Sequence, residues 1–177
     1  MGSVEIFISG IQYDSCINGV GFRDVIYISG CWHECRKYCH NKETHNPKYG
    51  KKYFIENLIK EILSKSSNNI TISGGDSLTY QISETLELVK ELKLRYKKDI
   101  WLYTGYKFEE LLEDSNNKRQ EILSYIDVLV DGNFNPNFAS GEIVFKGDSS
   151  QRIIDVQKSL KENKIILLTL WFKFVII

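Results

Sequence analysis

Three cysteines lie within nine residues of this 177-residue chain, at Cys31, Cys35 and Cys39. They follow Val25-Ile26-Tyr27-Ile28-Ser29, a run rich in β-branched and aromatic side chains that predicts a buried strand. A continuous helix over the cysteines would separate the first from the last by about 12 Å along its axis. We therefore expect a loop that folds back on itself, so that the three thiols face one metal ion or cluster.

Three cysteine ligands leave the kind of metal open. Iron–sulfur clusters are usually held by four thiolates and structural zinc by four Cys or His ligands, so three thiols leave one coordination position over. In a catalytic site, a substrate or cofactor binds at such a position. A fourth ligand from His33, His40 or His45 would instead give a closed Cys3His zinc site, and three unliganded thiols are a further alternative. We assign neither His33 nor His40 as a ligand, because histidines in polar loops often hydrogen-bond only to nearby carbonyls.

Charge and terminal patterns restrict the class of protein. With 23 basic and 23 acidic residues the formal net charge is zero, so we expect neither nucleic-acid nor anionic-membrane binding. The N-terminus lacks a basic segment followed by an apolar signal core, and the cysteines form no disulfide framework, which together predict a cytoplasmic location. The apolar segment 165–177 is too short to span a bilayer. It is predicted to be a last core strand, with a docking surface for a partner protein or a dimer contact as alternatives.

Strand and helix patterns alternate along the chain. Periodicity and turn residues predict strands at 4–9, 25–29, 69–73, 100–104 and 128–131, helices at 53–64, 80–97 and, interrupted, 108–125, and a long loop at 132–151 with a short extended piece at 142–145. Such alternation predicts right-handed βαβ units and a parallel sheet. The length fits one domain that is smaller than a complete (β/α)8 barrel of roughly 250 residues.

Four unusual loops each follow a predicted strand. They are the cysteine loop 31–39 and the segments 74–77, 105–106 and 132–134. Ligand sites of parallel α/β sheets and barrels gather at the carboxyl ends of the strands, so we expect these loops to open onto one rim. This shared location favours a catalytic site over a structural zinc site, because a structural zinc site does not require unusual loops from the other strands.

The residues outside the cysteine loop also have simpler explanations. Gly74-Gly75-Asp76 lets the backbone approach a ligand closely, yet it is also typical of an ordinary turn with Asp76 or Ser77 capping the next helix. Thr104 is predicted either to line a pocket or only to form a turn. Cys16 is isolated from the other cysteines, and a small, half-buried side chain without a metal is expected there.

Six motifs are spread over most of the chain. They are Ser29-Gly30-Cys31-Trp32-His33-Glu34-Cys35, Cys39-His40-Asn41, Ser73-Gly74-Gly75-Asp76, Trp101-Leu102-Tyr103-Thr104-Gly105-Tyr106, Val128-Leu129-Val130-Asp131-Gly132 and Gly147-Asp148-Ser149-Ser150-Gln151-Arg152. Taken together, these segments resemble the radical S-adenosylmethionine enzymes, and within them the activating component of the anaerobic, class III ribonucleoside-triphosphate reductase. The sequence departs from the family pattern twice: three residues separate Cys35 from Cys39 where the family has two, and Ser77 stands where the family usually has proline.

The resemblance implies a single radical-S-adenosylmethionine domain over residues 1–177, built as a partial (β/α) barrel of parallel strands. It implies that the three clustered cysteines hold a [4Fe-4S] cluster whose fourth iron binds the amino and carboxylate groups of S-adenosylmethionine. It places the amino group of S-adenosylmethionine against Gly74, Gly75 and Asp76, and the adenine near residues 38–40. Thr104 is assigned to the lining of the cofactor site. The residues so assigned are Cys31, Cys35 and Cys39 for the metal, and Tyr38, Cys39, His40, Gly74, Gly75, Asp76 and Thr104 for the cofactor.

The implied reaction is reductive cleavage of S-adenosylmethionine to methionine and a 5′-deoxyadenosyl radical, which removes hydrogen from a glycine of the large reductase subunit. No protein acid or base is needed for this step, so no catalytic side chain is assigned. A flavodoxin-type protein is the implied electron donor, and a homodimer is one option. The alternatives are another small radical S-adenosylmethionine enzyme, such as a different glycyl-radical activase or a deazapurine synthase, and a zinc-stabilised binding module.

Overall fold

The computed structural model describes residues 4–39, 41–65, 69–141 and 143–170. These residues form a mixed α/β fold with one seven-stranded sheet and five α-helices. The strands are β1 Glu5–Ser15, β2 Arg23–Ile28, β3 Lys51–Phe54, β4 Asn69–Gly74, β5 Asp99–Tyr103, β6 Val128–Asp131 and β7 Arg152–Asp155. The helices are α1 Ile55–Leu63, α2 Ile82–Leu94, α3 Phe108–Glu113, α4 Asn117–Leu123 and α5 Val156–Glu162.

The sheet has a parallel centre and antiparallel edges. Its strand order is β3-β1-β2-β4-β5-β6-β7. The pairings β2–β4, β4–β5 and β5–β6 are parallel, as predicted. The pairings β3–β1, β1–β2 and β6–β7 are antiparallel, so the prediction of an entirely parallel sheet is wrong at both edges. At the first edge, the short segment 16–22 between β1 and β2 cannot carry the crossover of a dozen or more residues that a parallel pairing requires.

Element prediction failed mainly at β1 and at the two edge strands, β3 and β7. The β1 strand runs well past the predicted 4–9, with register shifts after Ile8 and Gln12. The β3 strand lies partly inside the predicted first helix, and β7 follows a stretch that was predicted to be loop. Residues 143–145 of the predicted extended piece form no strand, and residue 142 lies outside the described part of the chain. Short strands with exposed faces lack the alternating apolar pattern that identifies a half-buried strand.

The apolar C-terminal segment is described only as far as Leu170. Leu167 forms an isolated antiparallel bridge to Ile154, and the Leu168 N–H donates to the carbonyl of Ile153 at 2.8 Å. Leu168 and Leu170 pack against a small apolar cluster on the sheet. A short edge contact therefore replaces the predicted core strand in the described residues 165–170, and residues 171–177 lie outside them.

Alternating side chains give the sheet two different faces. Ile70 and Ile72 of β4 point into the main core, where the helices contribute fully buried leucines such as Leu58 and Leu88. Burying each such side chain stabilises the fold by about 1.5–3 kcal/mol. The opposite face carries the smaller cluster around Trp101. In the described part of the chain no helix has the length and apolar character needed to cross a membrane.

Arg23 joins the amino ends of the parallel strands, far from the carboxyl ends. Its side chain is 1% exposed and donates to Thr71 Oγ1 at 2.8 Å and to the Ile70 carbonyl at 2.7 Å. Its guanidinium lies 2.7 Å from Asp99 Oδ1 and 5.1 Å from the Trp101 ring centroid. Burial lowers the pKa of Arg23, and Asp99 opposes that shift. The residue therefore organises the sheet and does not face the predicted rim.

Candidate functional site

The four predicted loops meet at one cleft. A cavity of about 160 Å³ lies at the carboxyl ends of the parallel strands and receives residues from all four. The Gly132 N–H donates to the Tyr106 carbonyl at 3.1 Å, which joins the last two loops. The predicted site residues that line the cleft are Cys31, Cys35, Cys39, Gly74, Gly75, Asp76 and Thr104.

The cysteine loop folds back as expected. Gly30, at φ +103°, turns the chain out of β2, and its N–H donates to the Thr44 carbonyl at 2.7 Å. The Cys31 N–H donates to the His45 carbonyl at 3.3 Å. A 3-10 turn over Glu34–Tyr38 then reverses the chain. Local backbone bonds thus bring three thiols from one loop into the same cleft.

The thiols sit in a desolvated environment. Burial raises the pKa of Cys31 to about 12, and the nearby Asp76, Cys35 and Cys39 add to the shift. Burial also raises the pKa of Cys35, against a backbone hydrogen bond from Phe134. Thiolates bind metal, so loading this site must release protons.

Among the side chains that the structure describes, no group of three His, Cys, Asp or Glu residues is arranged to hold a single metal ion.

His33 and His45 lie in the lining of the cleft. His33 is 8% exposed, and its Nε2 lies 2.6 Å from Asp76 Oδ2. Its ring packs edge-on against Tyr106 at a centroid distance of 4.7 Å. His45 lines the cleft, while His40 lies outside the described residues. The His33 side chain therefore links the cysteine loop to the loop after β4.

Asp76 connects three loops through its buried carboxylate. It is 2% exposed, and Oδ2 accepts hydrogen bonds from Thr104 Oγ1 and the Gly105 N–H, both at 2.8 Å. The other oxygen, Oδ1, accepts from the Leu78 N–H at 2.9 Å. With His33 on the same carboxylate, Asp76 holds the cysteine loop against the loop after β5.

Both glycines of the Gly-Gly-Asp motif are required by backbone packing. At Gly74, with φ +107°, an added Cβ would lie 2.6 Å from the Ile28 carbonyl oxygen; at Gly75 it would lie 2.5 Å from that of Gly30. The Gly75 and Asp76 N–H groups donate to these same two carbonyls, at 2.8 and 2.6 Å. The helix-capping explanation is wrong, because α2 begins only at Ile82.

Tyr38 and Cys16 lie away from the cleft lining. Tyr38 is half exposed and is not among the lining residues, although its neighbour Cys39 is. Cys16 is exposed, which contradicts the expected half-buried side chain. Its exposure comes from the surface connection between β1 and β2, so it plays no part in the cleft.

Phe134 of the predicted loop 132–134 lines the cleft, and so does Gln151, which was not predicted to do so. Gln151 Nε2 donates to the Gly132 carbonyl at 2.7 Å, and its Oε1 accepts from the Gly147 N–H at 2.7 Å. Buried Asp148 accepts from the Asn135 N–H at 2.8 Å and stabilises the same loop. The sequence feature that indicates a role for Gln151 is the Gly-Asp-Ser-Ser-Gln-Arg motif at residues 147–152, which carries part of the family resemblance.

Comparisons with known proteins agree with this geometry. The chain is 38% identical over 143 residues to the anaerobic ribonucleoside-triphosphate reductase-activating protein of Enterobacteria phage T4, an alignment that covers 77% of this chain and 86% of that protein. Proteins of the same name from Vibrio cholerae and Escherichia coli K12 are 37% and 34% identical. Those alignments cover 77% and 76% of this chain and 90% and 89% of the relatives.

A family model described as a 4Fe-4S single cluster domain matches residues 17–154. The match includes the cysteine loop and all three other loops of the cleft. The chain therefore belongs to the family of anaerobic ribonucleoside-triphosphate reductase-activating proteins and contains a 4Fe-4S single cluster domain.

Proposed function

We propose that this protein activates an anaerobic ribonucleoside-triphosphate reductase by forming a glycyl radical on its large subunit, with a [4Fe-4S] cluster and S-adenosylmethionine. The observation that carries the proposal is the cleft in which three thiols of one loop meet the Gly-Gly-Asp backbone. Three protein ligands leave one iron free for a small molecule. The names of the relatives supply the reductase as the partner.

The proposed cluster ligands are Cys31, Cys35 and Cys39. These residues would hold the cluster, which when reduced would supply the electron for cleavage of S-adenosylmethionine to methionine and the hydrogen-abstracting 5′-deoxyadenosyl radical. The protein's task is to orient the cofactor and exclude water. Burial of Cys31 at 7% exposure supports this exclusion, because a dry site protects a radical from side reactions.

We place the cofactor's amino group against Gly74 and Gly75. The N–H groups of Gly75 and Asp76 donate to protein carbonyls, so this turn offers carbonyl oxygens to a ligand. Carbonyl oxygens accept hydrogen bonds, which suits an ammonium group. Asp76 and Thr104 act by positioning, because their side chains hydrogen-bond to each other at 2.8 Å.

The adenine is proposed to lie near residues 38–40. This assignment rests on the family resemblance and on the half-exposed ring of Tyr38, which adjoins the lining residue Cys39. An exposed aromatic ring offers a stacking surface for a base. His40, the third residue of the group, lies outside the described residues.

We further propose one radical-S-adenosylmethionine domain over residues 1–177, in which β2, β4, β5 and β6 are the parallel part of a partial barrel. The consecutive parallel pairings with ligand loops at their carboxyl ends support this. A flavodoxin-type donor is proposed from the family resemblance. The cytoplasm is the proposed location, since free cysteines persist in a reducing compartment and all four cysteines are unpaired.

Anaerobic reconstitution tests the function. We expect iron and inorganic sulfide, broad visible absorbance, cleavage of S-adenosylmethionine by the reduced protein, and a glycyl radical signal when the anaerobic reductase is added. Cleavage without a glycyl radical would indicate a different radical enzyme, such as another activase or a deazapurine synthase. Colourless protein with stoichiometric zinc would indicate a binding module and contradict the proposal.

A further inference from the structure

The zero net charge of the chain conceals a local excess of positive charge. Residues 36–52 contain six Lys or Arg residues and one acidic residue, Glu43. The remainder of the chain is therefore net acidic. Since this segment includes the last cysteine of the loop, the positive charge lies beside the candidate cluster site.

Hydrogen bonds fix this segment against the cysteine loop. The carbonyls of Thr44 and His45 accept from the N–H groups of Gly30 and Cys31. The hydroxyl of Ser29 donates to the Tyr49 carbonyl at 2.7 Å. Charges on residues 42–48 are thus held close to the first cysteine, and Lys37 lies between the other two cysteines.

Three lysines of the segment are available to a partner. Lys37, Lys42 and Lys48 are exposed, and no carboxylate among the described side chains forms an ion pair with them. Lys52, in contrast, pairs with Glu5 at 2.6 Å. We use the term basic face for Lys37, Lys42 and Lys48 together with the exposed ring of Tyr49.

Tyr49 adds apolar contact area to the basic face. Its side chain is 41% exposed. Aromatic residues are enriched in protein interfaces, whereas lysines at the rim steer an oppositely charged partner toward docking.

We propose that the basic face docks an acidic electron-donor protein of the flavodoxin type. This inference rests on the proposed function and assigns its electron entry to one surface. The donor's reduced flavin would supply one electron to a cluster held by the cysteine loop, with no bond formed or broken. The basic face suits this role because Lys37 lies between Cys35 and Cys39 in the sequence, and the loop that carries Lys42 and Lys48 hydrogen-bonds to Cys31.

The reductase is assigned to a different surface. Its glycine must reach the interior of the cleft, which is bounded by Gly132, Phe134 and Gln151 from the loops after β6. The basic face belongs to the segments before and after Cys39 and to the strand-joining loop 41–49. Donor and reductase are therefore assigned to different segments of the chain.

Charge reversal with two reductants tests the inference. We expect Lys42→Glu/Lys48→Glu to cleave S-adenosylmethionine at the wild-type rate with dithionite. With a reduced acidic flavodoxin, kcat/KM for the flavodoxin should fall at least about tenfold. The matched control Lys60→Glu/Lys161→Glu makes the same charge change at two exposed helix positions and should stay within about twofold of wild type with both reductants.

Ionic strength gives an independent readout. Raising it from about 0.01 M to 0.15 M shortens the Debye length from about 30 Å to about 8 Å. The flavodoxin-dependent rate of the wild type should fall over this range, and that of the basic-face variant should change little. Equal rates for variant and wild type with flavodoxin would overturn the inference. So would normal cofactor cleavage combined with a lower glycyl radical yield, which would assign the face to the reductase. Absence of cleavage by wild type with dithionite would instead contradict the proposed function.

Discussion

The Asp76 carboxylate and the His33 imidazole lie 2.6 Å apart, with both side chains buried. This contact joins the loop that carries the cysteines to the loop that follows β4. Because Thr104 and Gly105 donate to the same oxygen, one carboxylate sets the relative position of three of the four loops around the cleft.

Asp76→Asn is expected to weaken this junction. An amide keeps the shape but replaces one acceptor oxygen with a donor, which leaves buried donors without a partner. The free energy of unfolding of the cluster-free protein should fall by about 1–3 kcal/mol, as measured by urea denaturation. Thr104→Val removes one of these donors and also the acceptor of the Tyr106 N–H, and should cost about 1–2 kcal/mol. Identical urea midpoints for Asp76→Asn and wild type would contradict the junction role.

Cys35→Ala is expected to abolish the brown colour of the anaerobically reconstituted protein and its cleavage of S-adenosylmethionine. The change removes one of the three thiols that line the cleft, and the two remaining thiols are too few to hold the cluster. Cys16→Ala is the matched control, because Cys16 is exposed and outside the cleft, and it should retain both properties. Full iron and sulfide content in Cys35→Ala would show that the ligand assignment is wrong.

Gly105→Ala should disturb the cleft through a steric contact. The added Cβ would lie 2.6 Å from both His33 Cδ2 and Asn133 Oδ1. Because His33 is held between Asp76 and Tyr106, it cannot move freely, and overpacking of this kind costs about 1–3 kcal/mol. Urea denaturation and the KM for S-adenosylmethionine are the measurements.

Gly141→Ala provides the control for this steric test. A Cβ at Gly141 meets no atom within 4 Å, so its unfolding free energy and KM should match those of wild type. If both alanine variants behave alike, close packing at Gly105 has no functional importance.

Glu109 should make stability depend on acid pH. Its hydrogen bond to Arg152 lowers the pKa of Glu109 from 4.5 to about 2. The resulting stabilisation is present above pH 4.5 and is lost as the pH falls through about 2. Glu109 is half exposed, so solvent screening limits the contribution to less than about 1 kcal/mol.

Glu109→Gln measures this contribution. The difference in unfolding free energy between wild type and variant should be largest near neutral pH and should shrink toward pH 2, as followed by urea denaturation of the cluster-free protein. Glu113→Gln, at an exposed position outside the ion pairs of the described residues, should show no such difference. A constant difference across the pH range would contradict the predicted effect.

Short-range patterns in the sequence were sufficient to predict the parallel strands β4, β5 and β6 and the loops at their carboxyl ends. A buried strand requires a local run of apolar side chains, and parallel pairing brings successive strand ends to one edge. The shared location of Cys31, Gly75 and Thr104 was therefore predictable before any contact was known.

Contacts between distant residues could be decided only by the tertiary structure. The antiparallel edges and β7 depend on which strand is left available for pairing, and no local pattern encodes that choice. The role of Asp76 depends on donors 28, 29 and 43 residues away in the sequence. Local propensity acts over a few residues, whereas burial of a carboxylate requires partners that only the packed loops bring within hydrogen-bonding distance.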